Sequence, residues 1–176
     1  METGKYINDL LSGYQKSLII LTANQHKIFD HLEGNPSSAE DISNALKLSL
    51  KGAERLLNAL CGLELLQKRG SLYQLPANIA SYLTSTGEHS MNHWMRLSSD
   101  LFPIWNQLPD FVQNGKMVKR IMDVLGSDPE RMENFPDSMH EKAIKATEML
   151  ANELPLEDAR SMLDIGGGPG TYALEW

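Results

Sequence analysis

Leu163-Asp164-Ile165-Gly166-Gly167-Gly168-Pro169-Gly170 is the stretch that decides how this chain is read. Ser161 to Ile165 is short and apolar, as a strand is, and it runs directly into glycines. Thr171 to Trp176 then predicts the first turn or two of a helix. Glycines in such a strand-to-helix loop permit positive φ and let the backbone approach a ligand closely. The helix start adds unpaired N–H groups and the positive end of a dipole. Asp164, Gly166, Gly168 and Gly170 give D-x-G-x-G-x-G, which differs from the G-x-G-x-x-G of dinucleotide folds. An acid just ahead of the first glycine repels a phosphate and suits a cationic or amine-bearing ligand. A plain turn and a dinucleotide loop stay open as alternatives at this point.

Upstream of the loop the periodicity is helical almost throughout. Ile7, Leu10, Leu11, Tyr14, Leu18 and Leu21 form one stripe on a first helix, and that stripe needs a partner surface to cover it. A second short helix is expected around Ala23 to Leu32, ended by Gly34-Asn35-Pro36. Ser37-Ser38-Ala39-Glu40 has the form of a capping box. It opens a helix carrying Ile42, Ala45 and Leu46. After a break at Lys47 to Ser49, a further helix carries Ala53, Leu56, Leu57, Leu60 and Leu63. Leu65 to Gln67 and Leu72 to Leu75 read as two strands joined by a glycine turn at Lys68 to Ser71. Helix, turn, helix, hairpin is the order of a winged helix-turn-helix.

Pro76 begins another helix, to about Tyr82 or Leu83, and a loop from Thr84 to Glu88 follows. The region holding Met91, Trp94, Met95, Leu101, Trp105, Leu108, Phe111 and Val112 is helical, and Pro103 and Pro109 must kink or divide it. Residues 116–125 form a short amphipathic piece. The next clear helix runs from about Asp137 to Asn152, with Met139, Ala143, Ala146 and Leu150 as its buried stripe, and Pro155 closes the helical part.

Composition narrows the function classes. Of the 16 Lys/Arg and 23 Asp/Glu, eight of each fall in 1–87, so the whole excess of −7 lies in 88–176. Such a chain has no general attraction to phosphate backbones. The expected second helix of the helix-turn-helix, Lys51 to Leu63, has only Lys51, Glu54 and Arg55 as charges, and the wing offers Lys68 and Arg69. That is thin for reading base edges, so a DNA-binding regulator is the weaker alternative. No segment has the ~18 consecutive apolar residues of a membrane span, and no signal-peptide pattern opens the chain. The single cysteine, Cys61, excludes an internal disulfide and reads as an inert buried thiol in a cytoplasmic protein. His89 and His93, four apart, are the only metal-like spacing among five histidines, and no third ligand cluster accompanies them. Trp94 and Trp105 are expected in the core or in dimer contacts.

Leu163 to Gly170 resembles the first motif of class I S-adenosylmethionine (SAM)-dependent O-methyltransferases, the group with caffeate-type and hydroxyindole enzymes and bacterial relatives acting on polyketides or phenazines. The resemblance continues upstream. Ile28-Phe29-Asp30-His31-Leu32, Ala53-x-Arg55-Leu56-Leu57-x-Ala59-Leu60, Tyr73-x-Leu75 with Ala80-x-Tyr82-Leu83, Trp105-x-x-Leu108 and Phe135-x-x-x-Met139 each resemble family segments, in the family order.

The resemblance implies a mainly α fold. A winged-helix-like dimerisation domain with a small β-hairpin would occupy 1–87, a helical linker and lid 88–157, and the first strand of a truncated Rossmann-like SAM domain 158–176. It implies that Asp164, Gly166, Gly167, Gly168 and Gly170 line the methionine end of SAM, which carries an ammonium and a sulfonium. Phe135 and Met139, at i and i+4, would face the acceptor pocket, although core positions are the plainer reading. It implies a homodimer through the N-terminal helices and a small, aromatic or polyketide-like hydroxyl acceptor, with neither nucleic acid nor membrane as partner. A non-catalytic dimerising partner is a further alternative. The ribose-binding acid expected about 20 residues past the loop and the family's catalytic histidine have no counterpart here, so no catalytic residue is nominated. The chain by itself is expected neither to bind SAM tightly nor to turn over, and residues beyond about Glu157, with no sheet to join, are expected to be mobile, swapped onto a partner, or held by contacts without family precedent.

Overall fold

In the computed structural model, residues 3–154 and 159–175 are described. They form two compact units, Met1–Ser90 and Met91–Trp176. The predicted stop at Pro155 and the predicted boundary at 157/158 lie outside the described residues.

The first unit begins with α1 (Thr3–Gln25), longer than its apolar stripe required, and α2 (Ile28–Leu32). The predicted second helix from Ala23 is thus split: Ala23 still belongs to α1, and Lys27 at φ 55° turns the chain before α2. Strand β1 (Ser37–Ser38) precedes α3 (Ala39–Ala45) and α4 (Leu50–Gly62). Strands β2 (Gln67–Arg69) and β3 (Leu72–Gln74) make a hairpin whose first strand starts two residues later than the expected Leu65, with Lys68 and Arg69 in the ladder rather than in the turn, and α5 (Ala77–Leu83) follows from Pro76. The sheet has three strands, in the order β1-β3-β2 and antiparallel throughout. The third strand was not anticipated, because two residues are too few to show an alternating pattern.

The capping box lies one residue later than expected: both serines pair with β3, and Ser38, directly before α3, is the cap. The Ser38 hydroxyl accepts from the Asp41 amide at 3.1 Å, and the Asp41 carboxylate accepts from the Ser38 amide at 3.2 Å. The Ser38 hydroxyl, which donates to Asp41 Oδ2 at 2.6 Å, and the Ser38 amide hold the Asp41 carboxyl below the usual carboxylate range. Ser49 caps α4 in the same way, accepting from the Gly52 amide at 3.0 Å.

The core of this unit is the apolar face of the helix-turn-helix closed by the sheet. Ile28, Phe29, Leu32, Ile42, Leu57, Leu60, Leu66 and Tyr73 are buried together. Ala45, read from the sequence as part of that face, is exposed; Ser43 is buried instead. The loop after α5 is tied down by acids of the α2 region. The Ser85 amide donates to Asp30 Oδ1 at 2.7 Å, and the Thr86 hydroxyl donates to Glu33 Oε2 at 2.8 Å. Gly87 packs directly on the Ser81 carbonyl, where a methyl group would collide with it.

The second unit holds α6 (Asn92–Trp105), α7 (Leu108–Asn114), α8 (Ile121–Leu125), α9 (Pro129–Glu153) and α10 (Thr171–Glu175). Pro103 is carried inside α6, and Pro109 starts α7, so the predicted division falls between them. Helix α9 begins eight residues before the expected Asp137 and carries Pro136 within it. A proline removes one ladder bond, yet α6 braces α9 on both sides of it. The Arg131 guanidinium meets Asp100 at 3.0 Å, and Arg96 pairs with Glu130. Asn134 and His93 exchange two contacts: Nδ2 donates to the His93 carbonyl at 3.1 Å, and Oδ1 meets His93 Nδ1 at 2.7 Å. Beyond Pro136, Glu141 accepts from the His93 and Trp94 amides at 3.2 and 2.7 Å, satisfying the open start of α6. Burial pushes the Asp100 carboxyl up, against the pull of Arg131 and Arg96.

The strand predicted at 161–165 is not formed: those residues have no regular secondary structure. Their apolar side chains stand in solvent, with Leu163 and Ile165 83 % and 87 % exposed. A strand needs a neighbour to take its N–H and C=O groups, and no neighbour is described.

Candidate functional site

The glycine loop adopts the conformation that its residue types permit. Gly166, Gly168 and Gly170 all have left-handed φ, at 79°, 55° and 74°. Side chains other than glycine are strained there. At each of these three positions a Cβ would point into open space. The outer face of the loop is therefore free for a ligand to lie against the backbone. Gly167 differs: a methyl group there would strike the Asp164 carboxylate, which folds over it. The Gly170 amide donates to the Gly167 carbonyl at 2.9 Å, and the Leu174 amide donates to the Gly170 carbonyl at 2.9 Å, closing the loop into α10.

This donor set fits one end of SAM. An ionised carboxylate accepts hydrogen bonds and repels anions, which suits an ammonium, and an open glycine face admits a flat backbone contact. Asp164 and the loop glycines lie in one turn. Phe135 and Met139 lie one turn apart on α9, and both are half-buried.

The wing residue Lys68 is engaged within the fold: its ammonium donates to the Tyr73 hydroxyl at 2.8 Å and to Asn58 Oδ1 at 3.3 Å, and lies 4.7 Å from the Tyr73 ring centre. The Tyr73 hydroxyl in turn donates to Asn58 Oδ1 at 2.9 Å. The hydrogen bond to Tyr73 raises the Lys68 pKa. Sequence reasoning missed this triad, because Asn58 and Tyr73 are 15 residues apart and neither belongs to a motif.

Cys61 is half-buried, and burial pushes its thiol up, away from the reactive thiolate. His89 lies outside α6 with its ring against Tyr82, centroids 5.4 Å apart, whereas His93 faces Asn134. The two do not share a helix face, and among the described residues no group of three or more His, Cys, Asp or Glu could hold a metal.

Large apolar side chains remain bare in each unit. On α1, Tyr6, Ile7, Leu10, Leu11, Tyr14 and Leu18 are exposed, Leu11 by 70 %. In the second unit the bare set includes Trp105, Leu108, Phe111 and Val112. Trp105 is 69 % exposed, which removes it from the core, whereas Trp94 is half-buried beneath the Lys142 ammonium at 4.6 Å. No helix among the described residues is long and apolar enough to cross a membrane.

Comparison with known proteins agrees with this picture. Residues 8–86 match the O-methyltransferase dimerisation domain family. The chain is 26 % identical to the SAM-dependent methyl transferase PigF of a Serratia species, over 96 % of this chain and 51 % of PigF. It is 28 % identical to acetylserotonin O-methyltransferase of Gallus gallus, over 93 % of this chain and 52 % of that enzyme. A solved structure of PigF with SAH shares the fold, with a TM-score of 0.82 at 23 % identity over 99 % of this chain and 54 % of that one. The chain thus spans about half the length of the curated relatives it matches. Residues 8–86 are thus similar to the O-methyltransferase dimerisation domain, and nearly the whole chain is similar to the front half of SAM-dependent O-methyltransferases.

Proposed function

We propose that this chain supplies the pairing and acceptor-covering region of a SAM-dependent O-methyltransferase, together with the first loop of its cofactor cradle. Residues 1–87 form the pairing module, 88–157 the lid, and 158–176 the opening of the SAM fold. One observation carries the reading: three glycines at left-handed φ follow Asp164 with their outer face open, in a chain matched by the O-methyltransferase dimerisation domain. When bound, SAM supplies an electrophilic methyl group. Asp164 offers its ammonium a carboxylate, and Gly166, Gly167, Gly168 and Gly170 bring backbone close to its methionine end. Phe135 and Met139 present an apolar face that excludes water and orients an acceptor.

The acceptor is a small aromatic or polyketide-like molecule bearing a hydroxyl. Relatives named for acetylserotonin, a naphthoate and a tetracenomycin polyketide support this. The bare face of α1 is covered by a second copy of the chain, as the family match to a dimerisation domain supports. A patch of this size left open on a monomer would be unusual. The internal engagement of Lys68 supports the view that nucleic acid is not the partner. A single cysteine, which can form no internal disulfide, supports a cytoplasmic setting.

Titration of the chain with SAM, read by amide shifts, tests the proposal. The expected result is shifts confined to Asp164 to Thr171, with affinity no tighter than about millimolar, since the loop is only part of a cradle. Shifts confined to the first unit, or none at all, would contradict it.

A further inference from the structure

We propose that His140 is a positioning residue for the glycine loop, clamping the start of α10 to α9 through Thr171. His140 Nδ1 lies 2.9 Å from the Thr171 hydroxyl, across 31 residues of sequence. Thr171 is the first residue of α10 and is buried, whereas Leu163 and Ile165 on the other side of the loop are bare. The loop is thus anchored on its helix side, and this hydrogen bond is the polar part of that anchor. Buried hydroxyls need a partner, and one that is left unmatched is costly, so the bond fixes where α10 docks.

His140 directly follows Met139 on α9, and one residue along a helix turns the side chain by about 100°. The same turn of α9 therefore carries the apolar face assigned to the acceptor and the clamp on the cofactor loop. Methyl transfer depends on alignment of donor and acceptor to within about 1 Å, and the clamp ties the two sides to one rigid helix. The proposal rests on the reading of the loop as a SAM cradle.

Amide hydrogen exchange on the 176-residue chain measures the clamp, at the Gly170 and Leu174 amides that close the loop. Thr171→Val and His140→Ala are each expected to speed exchange there about fivefold to tenfold, while amides of α6 stay unchanged. The double variant is expected to exchange no faster than the quicker single one, because both remove one interaction. Thr171→Ser is expected to restore slow exchange and the wild-type 15N resonance of His140 Nδ1, which Thr171→Val shifts. Unchanged exchange in Thr171→Val, additive effects in the double variant, or no rescue by serine would overturn the clamp. An intact clamp with no response of Gly166 to Gly170 to added SAM would instead overturn the cradle reading beneath it.

Discussion

The helix-turn-helix and the segment around the glycine loop are comparably apolar in sequence, and their side chains end in opposite places. Phe29, Leu57, Leu60 and Tyr73 are enclosed by helices on one side and a three-stranded sheet on the other. Met162, Leu163, Ile165 and Leu174 stand in solvent. The difference lies in what the neighbouring chain offers. In the first unit a capped helix, a second capped helix and a hairpin follow within about forty residues, so each apolar face meets another. Around the loop, among the described residues, there is an irregular stretch and one short helix, which meets α9 through the buried Thr171 and His140. Hydrophobic residues report a tendency to be covered; the covering surface has to come from elsewhere.

The comparison can be pressed by substitution, and the largest effect belongs to the enclosed region. Leu57→Ala removes a fully buried side chain from the middle of that core and is expected to cost about 2–5 kcal/mol in denaturant unfolding. Gly87→Ala would drive a methyl group into the Ser81 carbonyl, and a loss of about 1–3 kcal/mol is expected in the same assay. A result near zero would mean that the loop after α5 shifts freely.

Ser38→Ala takes away the cap of α3, and about 1 kcal/mol is expected to go with it. It also has a pH signature. The Asp41 pKa is depressed in the folded chain, so its contribution is present above the unfolded carboxylate pKa and is lost as pH falls through the lower folded value. A carboxyl titration followed by NMR should show Asp41 moving back up in the Ser38→Ala chain. The smallest effect is expected outside the core. Ile165→Ser, at a position 87 % exposed, should change stability by less than about 0.5 kcal/mol. A cost comparable to that of Leu57→Ala would mean that the segment is covered after all.

These contrasts mark where sequence is informative. The order of helices and hairpin in the first unit was legible because helical and alternating periods follow directly from which face is buried. The capping box was read one residue early, because Ser37 and Ser38 both offer a hydroxyl, and the Ser37 hydroxyl turns back to the Asn35 carbonyl while that of Ser38 takes the Asp41 amide. Helix α9 was begun too late, since Pro136 normally marks a start. The bracing by Arg131, Asn134 and Glu141 that carries the helix through it comes from another helix, about forty residues away. In the candidate site, Asp164 and the glycines were legible from type and spacing. His140 with Thr171, and Lys68 with Tyr73 and Asn58, were not, because those contacts are set by tertiary packing and leave no local pattern.

The account depends most on the bare face of α1 being a pairing surface. Sedimentation equilibrium of the 176-residue chain at micromolar concentration, alongside a Leu11→Glu variant, tests this directly. The wild-type chain is predicted to sediment at twice the monomer mass, and the variant at the monomer mass with unchanged helical circular dichroism. A wild-type monomer, or a variant that pairs as well as the wild type, would contradict the account.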